Sequence, residues 1–143
     1  MKNPGSRSEY GEQCAVFEWA SREIRWETAY LFSTLNGVKL PVGLAVKCKR
    51  AGNRKGVPDI WLPVPRGDYH GLVIELKIKP NKPTIEQTEW LEGLKAMGYK
   101  ALVCYGADEA IAAIKDYLGG EKTASQFNSG RNPEVNSKGE NHA

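Results

Sequence analysis

The chain has 143 residues, of which 41% are hydrophobic and 26% charged, with a net charge of +3, which suits one globular domain with its own core. No segment approaches the roughly eighteen consecutive apolar residues of a membrane span, and the polar N-terminus lacks the apolar segment of a secretory signal. Three widely spaced cysteines and only two histidines argue against a disulfide framework, a zinc cluster and histidine-based catalysis, and are typical of a cytoplasmic protein.

The hydrophobic pattern predicts four helices and four strands in the order α-β-α-β-β-α-β-α. A first helix starts at the capping residue Ser8 and runs to about Trp26. A strand follows over residues 28–35 and ends at the turn pair Asn36-Gly37. A short helix with a basic side then covers residues 40–51.

The second half begins with strands at residues 59–64 and 71–78, which a short glycine-containing loop joins into an antiparallel hairpin. A helix from Thr84 to about Met97 follows, and Gly98 closes it. A strand at 99–106 and a helix that starts at Asp108 complete the pattern. The third helix is predicted to bury one side, which consists of Ile85, Trp90, Leu94 and Met97.

These elements predict a single domain over residues 8–118, between a flexible N-terminus (1–7) and a disordered tail (119–143) that is rich in Gly, Ser and Asn. The last strand–helix–strand unit needs a crossover connection, whereas the hairpin is antiparallel. The fold class is therefore α/β, with a central mixed sheet of about four strands flanked by helices.

Charged residues interrupt the most apolar strand, GLVIELKI at residues 71–78. Side chains alternate between the faces of a strand, so Glu75 and Lys77 share one face, about 6–7 Å apart. Asp59 opens the neighbouring strand and is expected to reach the same side. Buried charges cost several kcal/mol each unless they are paired or bind a metal.

A divalent cation would satisfy this group. Mg²⁺ prefers one or two carboxylates together with other oxygens, and Asp59, Glu75 and the backbone carbonyl of Leu76 supply such a set. Lys77 would orient or help to deprotonate the attacking water, or offset charge that builds up on a phosphorus. A glutamate–lysine pair on a strand is frequent as a plain salt bridge. The chain's only Pro-Asp, however, precedes its only Glu-x-Lys, and this combination favours a metal site.

A stretch without acidic residues separates Glu27 from Asp59. Its cations form either a solvated helix face or a surface that attracts a polyanion. If the carboxylates hold a phosphodiester, these residues are expected to line the path of DNA, and Lys79 follows in a lysine-rich turn. The predicted DNA-binding residues are Lys47, Arg50, Arg54, Lys55 and Lys79.

The segments GVPDIWLPV, GLVIELK and KPTIEQTEWLEGLKAMGYKALVCYGADEAIAAIKDYL resemble the VRR-NUC family of the PD-(D/E)xK nuclease superfamily, and in particular its small standalone phage-type members. The resemblance covers roughly residues 8–118. It implies a restriction-endonuclease-like fold and hydrolysis of DNA phosphodiester bonds with Mg²⁺ or Mn²⁺. The sequence shows no recognition helix and no zinc module, so we expect recognition of DNA shape, such as branched, flap or Holliday-junction DNA. The resemblance also implies a homodimer, with or without exchanged elements, inside a phage-infected or bacterial cell.

The resemblance assigns roles to five residues. Asp59 and Glu75 match the metal-binding carboxylates, and Lys77 matches the catalytic lysine. Glu12 on the first helix is the predicted third acidic residue, with Glu9 and Glu18 as alternatives. Gln87 matches a position that the family uses near the site, although it also suits an exposed helix position.

Two other functions remain open from the sequence. A non-catalytic DNA-binding or assembly module would use the Asp, Glu and Lys residues as a structural network. An exonuclease or an RNA-directed enzyme would retain the same chemistry and act on a different substrate.

Overall fold

The computed structural model describes residues 7–34 and 38–119. The predicted turn pair Asn36-Gly37 and the predicted tail from residue 120 onward lie outside the described residues. Along the chain the elements are α1 Glu9–Arg22, a 3₁₀ helix Trp26–Tyr30, β1 Phe32–Ser33, α2 Val42–Arg50, β2 Ile60–Leu62, β3 Leu72–Lys77, α3 Ile85–Ala96, β4 Lys100–Tyr105 and α4 Ala107–Tyr117. Among the helices described, none has the length and apolar character to cross a membrane.

The four strands form one mixed sheet in the order β1-β2-β3-β4. The pairs β1–β2 and β2–β3 are antiparallel, and β3–β4 is parallel because α3 carries the chain across the sheet between them. Ile60 lies opposite Ile74 in the β2–β3 pair. The predicted hairpin, the crossover and the mixed α/β sheet are thereby confirmed.

Helices cover both faces of the sheet. Leu72, Ile74 and Leu76 of β3 face α1 and α4, in a core that includes Val16 and Ile114. The opposite face of β3 packs against α3, in a smaller cluster made of Val73, Leu91, Leu94 and Ala101. A strand in the middle of such a sheet is buried on both sides, and every residue of β3 is buried, including Glu75 and Lys77.

Local side-chain chemistry sets the starts of two helices as predicted. The Ser8 hydroxyl accepts a hydrogen bond from the backbone N–H of Gly11 at 3.1 Å. Thr84 and Gln87 form a reciprocal capping box at the start of α3. Gly98 has a φ of +94°, the left-handed conformation that glycine adopts easily after a helix.

Two predicted boundaries differ from the structure in the region after α1. The helix ends at Arg22 and not at Trp26, and residues 28–30 belong to a 3₁₀ helix and not to a strand. The Thr28 hydroxyl donates to the carbonyl of Arg25 at 2.7 Å, and this local bond favours a tight turn over an extended strand. Within residues 28–34, the described part of the predicted strand, only Phe32 and Ser33 pair with β2.

The predicted buried side of α3 is wrong at its two ends. Ile85 is 77% exposed and Met97 is 64% exposed, whereas Leu91 and Leu94 are buried. Ile85 is the first residue of the helix and Met97 is its C-cap. Only the central turns lie over Val73 and Ala101, so only the central side chains lose contact with water.

Candidate active site

The pairing of β2 and β3 places two carboxylates side by side. Ile60 pairs with Ile74, and continuation of this register by one residue sets Asp59 opposite Glu75. One carboxylate oxygen of Asp59, Oδ2, accepts a hydrogen bond from the backbone N–H of Leu76 at 2.9 Å. The backbone of Asp59 is also held, because its carbonyl accepts from the N–H of Thr34 at 2.9 Å. Asp59 is thus fixed against both neighbouring strands.

The loop before Asp59 is anchored on α3. Gly56 has a φ of +88°, and a Cβ at this position would lie 2.8 Å from the carbonyl carbon of Glu86. Only glycine permits both this conformation and this close approach. The indole N–H of Trp90 donates to the carbonyl of Lys55 at 3.1 Å. These contacts set the path of the chain three residues before the carboxylate.

Glu75 is a buried acid that lies beside Asp59. It is 1% exposed, and neither Oε atom accepts a hydrogen bond within the part of the chain described, although the protonated carboxyl group can donate one to Asp59. The ammonium Nζ of Lys77 lies 3.6 Å from Oε1. Burial, followed by repulsion from Asp59, raises the pKa of Glu75 to about 8, although Lys77 opposes the shift. Burial also raises the pKa of Asp59, against the opposing hydrogen bond from Leu76.

These features fit a site for a divalent cation. Buried carboxyl oxygens that have no hydrogen-bond donor are costly, and a cation is a common means of satisfying them. The N–H and C=O of a strand residue point to the same edge, so the Leu76 carbonyl faces the Asp59 side together with its N–H. Among residues 7–34 and 38–119, no group of three or more Asp, Glu, His or Cys side chains is arranged so that together they could hold a metal ion. Two carboxylates and a carbonyl are nevertheless enough protein ligands for Mg²⁺, because waters and substrate oxygens usually fill its remaining coordination positions.

The first turns of α1 bring further polar groups to this end of the sheet. A cleft of about 190 Å³ is lined by Glu9, Tyr10 and Gln13 of α1 together with Asp59 and Leu76. Glu9 Oε1 lies 3.9 Å from the ammonium of Lys77. Glu9, one of the alternatives on the first helix, is therefore the acidic residue of α1 that the structure brings to the predicted catalytic residues.

Glu12 lies elsewhere on α1. Its Oε2 accepts a hydrogen bond from the backbone N–H of Ala107 at 2.8 Å, which caps the start of α4, and its Oε1 lies 3.7 Å from Arg7. Glu18, the other alternative, forms an exposed pair with Arg22. Within the described residues, neither Glu12 nor Glu18 forms a hydrogen bond or an ion pair with Asp59, Glu75 or Lys77.

The role of Gln87 in the structure is local. Its side chain closes the capping box with Thr84. Gln13, in contrast, was not predicted from the sequence and lines the cleft. It lies four residues after Glu9, which is one helical turn, so this spacing was the signal that would have identified it.

The predicted DNA-binding residues lie on several elements. Lys47 and Arg50 are exposed on α2, and Arg54 is exposed in the following loop. Lys55 forms an ion pair with Glu86 at 3.2 Å. Lys79 lies after β3, beside Glu12 and Tyr105 in a second shallow cleft.

Comparison with known proteins agrees with this geometry. A profile of the VRR-NUC domain matches residues 8–108. A solved structure, described as a VRR_NUC domain protein, shares 32% identity and a TM-score of 0.68, and the similarity covers 79% of this chain and 89% of that protein. No curated protein matches the chain. The family resemblance and the α/β fold are confirmed: the chain belongs to the VRR-NUC domain family and is a nuclease-type domain that processes DNA.

Proposed function

We propose that the chain is a DNA endonuclease that depends on Mg²⁺ or Mn²⁺ and prefers branched, flap or junction DNA. One observation carries this proposal. Glu75 has two buried oxygens that accept no hydrogen bond from the described residues, and it lies opposite Asp59 and next to Lys77. A carboxylate pair that serves only the fold would be expected to satisfy its own oxygens.

Asp59, Glu75 and the carbonyl of Leu76 would hold the cation, with Glu9 close by. When bound, a divalent cation supplies positive charge that stabilises the phosphorane-like transition state and favours deprotonation of water. Hydrolysis forms one P–O bond from water to the phosphorus and breaks the P–O bond to one sugar oxygen, which leaves as a hydroxyl after it gains a proton.

Lys77 acts on the reacting groups in this proposal. Its ammonium lies between Glu75 and Glu9, at 3.6 and 3.9 Å from their nearest oxygens. From this position it orients the attacking water and donates a hydrogen bond to the phosphoryl oxygen on which negative charge increases. Gln13 in the same cleft offers both a donor and an acceptor for water or phosphate.

The exposed cations of α2 are proposed to contact the phosphate backbone. Lys47, Lys49 and Arg50 lie in the last turn of this helix. Phosphate contacts position a nucleic acid without reading its sequence. Neither a helix for the major groove nor a zinc module is identified among the described residues, and this supports recognition of DNA shape.

The exposed apolar residues of α2 support a homodimer. None of the nine residues of α2 is buried, and Val42, Leu44 and Val46 are each at least 47% exposed. Isolated helices shorter than about 12–15 residues are marginal in water. A second copy of the chain that covers some of these residues would stabilise α2 and place two active sites on one branched DNA.

A panel of labelled DNA substrates tests the proposed function. Purified protein is incubated with linear duplex, flap, four-way junction and circular DNA and with RNA, in chelator, Mg²⁺ or Mn²⁺. We expect cleavage only with the cation, faster on branched DNA, and loss of cleavage without loss of DNA affinity in Lys77→Ala. Cleavage of circular DNA separates an endonuclease from an exonuclease. Absence of cleavage on every substrate would leave the non-catalytic module as the function.

A further inference from the structure

An exposed aromatic ring lies on the edge strand of the sheet. Phe32 of β1 is 46% exposed, and one face of its ring stacks on Trp61 with centroids 6.3 Å apart and planes inclined by 18°. Trp61 is itself held in place, because its indole N–H donates to the carbonyl of Pro58 at 2.9 Å. It also contacts the edge of Tyr99. The Phe32 ring is thus supported by Trp61 on one face, and nearly half of the residue is exposed to solvent.

The position of this ring relates it to the active site. Phe32 pairs directly with Trp61, so the two side chains lie on the same face of the sheet. Trp61 follows Asp59 by two residues, which places both on that face about 6–7 Å apart along the chain. The stacked rings therefore lie on the same face of the sheet as the Asp59 side chain, while the neighbouring residues Ser33 and Thr34 line the cleft beside Asp59.

A second exposed aromatic residue precedes Phe32 in the chain. Tyr30 is 57% exposed, and the buried Leu31 separates it from Phe32 in sequence. It makes an edge contact with Trp26 at 5.9 Å between centroids. Every nucleobase offers a flat π-face, and a rigid exposed ring next to a phosphodiester site is suited to stack on one.

We propose that Phe32 is a stacking surface for an unpaired nucleobase that lies beside the scissile phosphate. This inference rests on the proposed function and deepens it, since it identifies the preferred substrate as DNA with a single-stranded arm next to the cut. A paired base in a continuous duplex has both π-faces covered by its neighbours. Phe32 therefore discriminates in favour of flaps, splayed arms and opened junctions.

Fluorescence of 2-aminopurine tests the inference without any need for cleavage. The base analogue is placed in the unpaired arm of a flap, next to the branch point, and binding is followed in chelator. Stacking on Phe32 is expected to quench its emission. Base stacking on an aromatic residue changes affinity roughly 5- to 150-fold, so Phe32→Leu should weaken binding of the flap within this range. Binding of continuous duplex should not change, and Phe32→Tyr should retain the affinity and the quenching.

The matched control is Tyr69→Leu. Tyr69 is also an exposed aromatic, at 44%, but it lies in the hairpin loop at the opposite end of β2 from Asp59. We expect this variant to bind the flap like the wild type. Equal losses for flap and duplex with Phe32→Leu, no loss, or a change of oligomeric state in size-exclusion chromatography with light scattering would overturn the inference.

The two proposals fail in different ways. If the protein quenches 2-aminopurine but never cuts DNA, the proposed endonuclease activity is refuted and the stacking role of Phe32 is supported. If Phe32→Leu changes neither KM nor kcat for flap cleavage, the stacking role is refuted and the endonuclease activity is supported. Absence of any DNA binding would refute both.

Discussion

Substitution of Glu75 by Gln is expected to stabilise the cation-free protein at neutral and higher pH while it removes stabilisation by the cation. In the folded protein the pKa of Glu75 is raised to about 8 from its ordinary value of 4.5, chiefly by burial. Folding therefore favours the protonated acid. The stabilising effect of this protonation is complete below about pH 4.5 and is lost as the pH rises through about 8. Glutamine has nearly the same shape and no charge, so it does not show this loss.

The size of the effect follows from the pKa values. Each pH unit between the unfolded and folded pKa contributes about 1.4 kcal/mol, which amounts to about 4 kcal/mol at pH 8. Glu75 is 1% exposed, so little water screens its charge. The free energy of unfolding of Glu75→Gln minus that of the wild type should thus increase by several kcal/mol between pH 5 and pH 8.

Urea denaturation in chelator measures this difference, and Mn²⁺ titration supplies the second arm. Wild-type stability at pH 8 should rise with Mn²⁺ concentration, because the cation binds the folded state and displaces protons from its ligands. Glu75→Gln should show little response. Glu92→Gln is a suitable control, since Glu92 is exposed beside Lys95. A difference below about 1 kcal/mol that stays flat from pH 5 to pH 8 would refute the account of Glu75 as a buried acid.

Three further predictions concern the surrounding residues. Glu12→Gln should lower the free energy of unfolding by about 1 kcal/mol through the weakened cap on α4, with no change in the Mn²⁺ midpoint; a shifted midpoint would return Glu12 to the metal site. Glu9→Gln should have the opposite effect, with near-normal stability in chelator and slower DNA cleavage. A cleavage rate equal to that of the wild type would exclude Glu9 from the active site. Gly56→Ala should destabilise the fold by at least about 1–3 kcal/mol in urea titrations, because it combines a strained φ with a clash at Glu86, whereas the open Gly93→Ala should not destabilise it.

Much of the fold follows from local patterns in the sequence. The caps at Ser8 and Thr84 act on their own helices, so short-range spacing was enough to predict where α1 and α3 begin. The alternation in residues 71–78 was enough to place Glu75 and Lys77 on one face. The Pro-Asp and Glu-x-Lys segments lie on adjacent strands of one hairpin, and this proximity made their convergence predictable.

Tertiary packing decided what local patterns left open. Glu9 and Glu12 differ by only about 60° around α1, since a helix turns about 100° per residue, and helical spacing alone cannot separate them. The packing of α1 against the start of α4 assigns Glu12 to the N–H of Ala107 and leaves Glu9 beside Lys77. Burial of Glu75 between two helical layers, which raises its pKa to about 8, likewise depends on contacts made by residues distant in the sequence. The residue types determine which reactions the site could support. The desolvation of Glu75 and the partners of Glu9 and Glu12, however, are set only when the helices pack against the sheet.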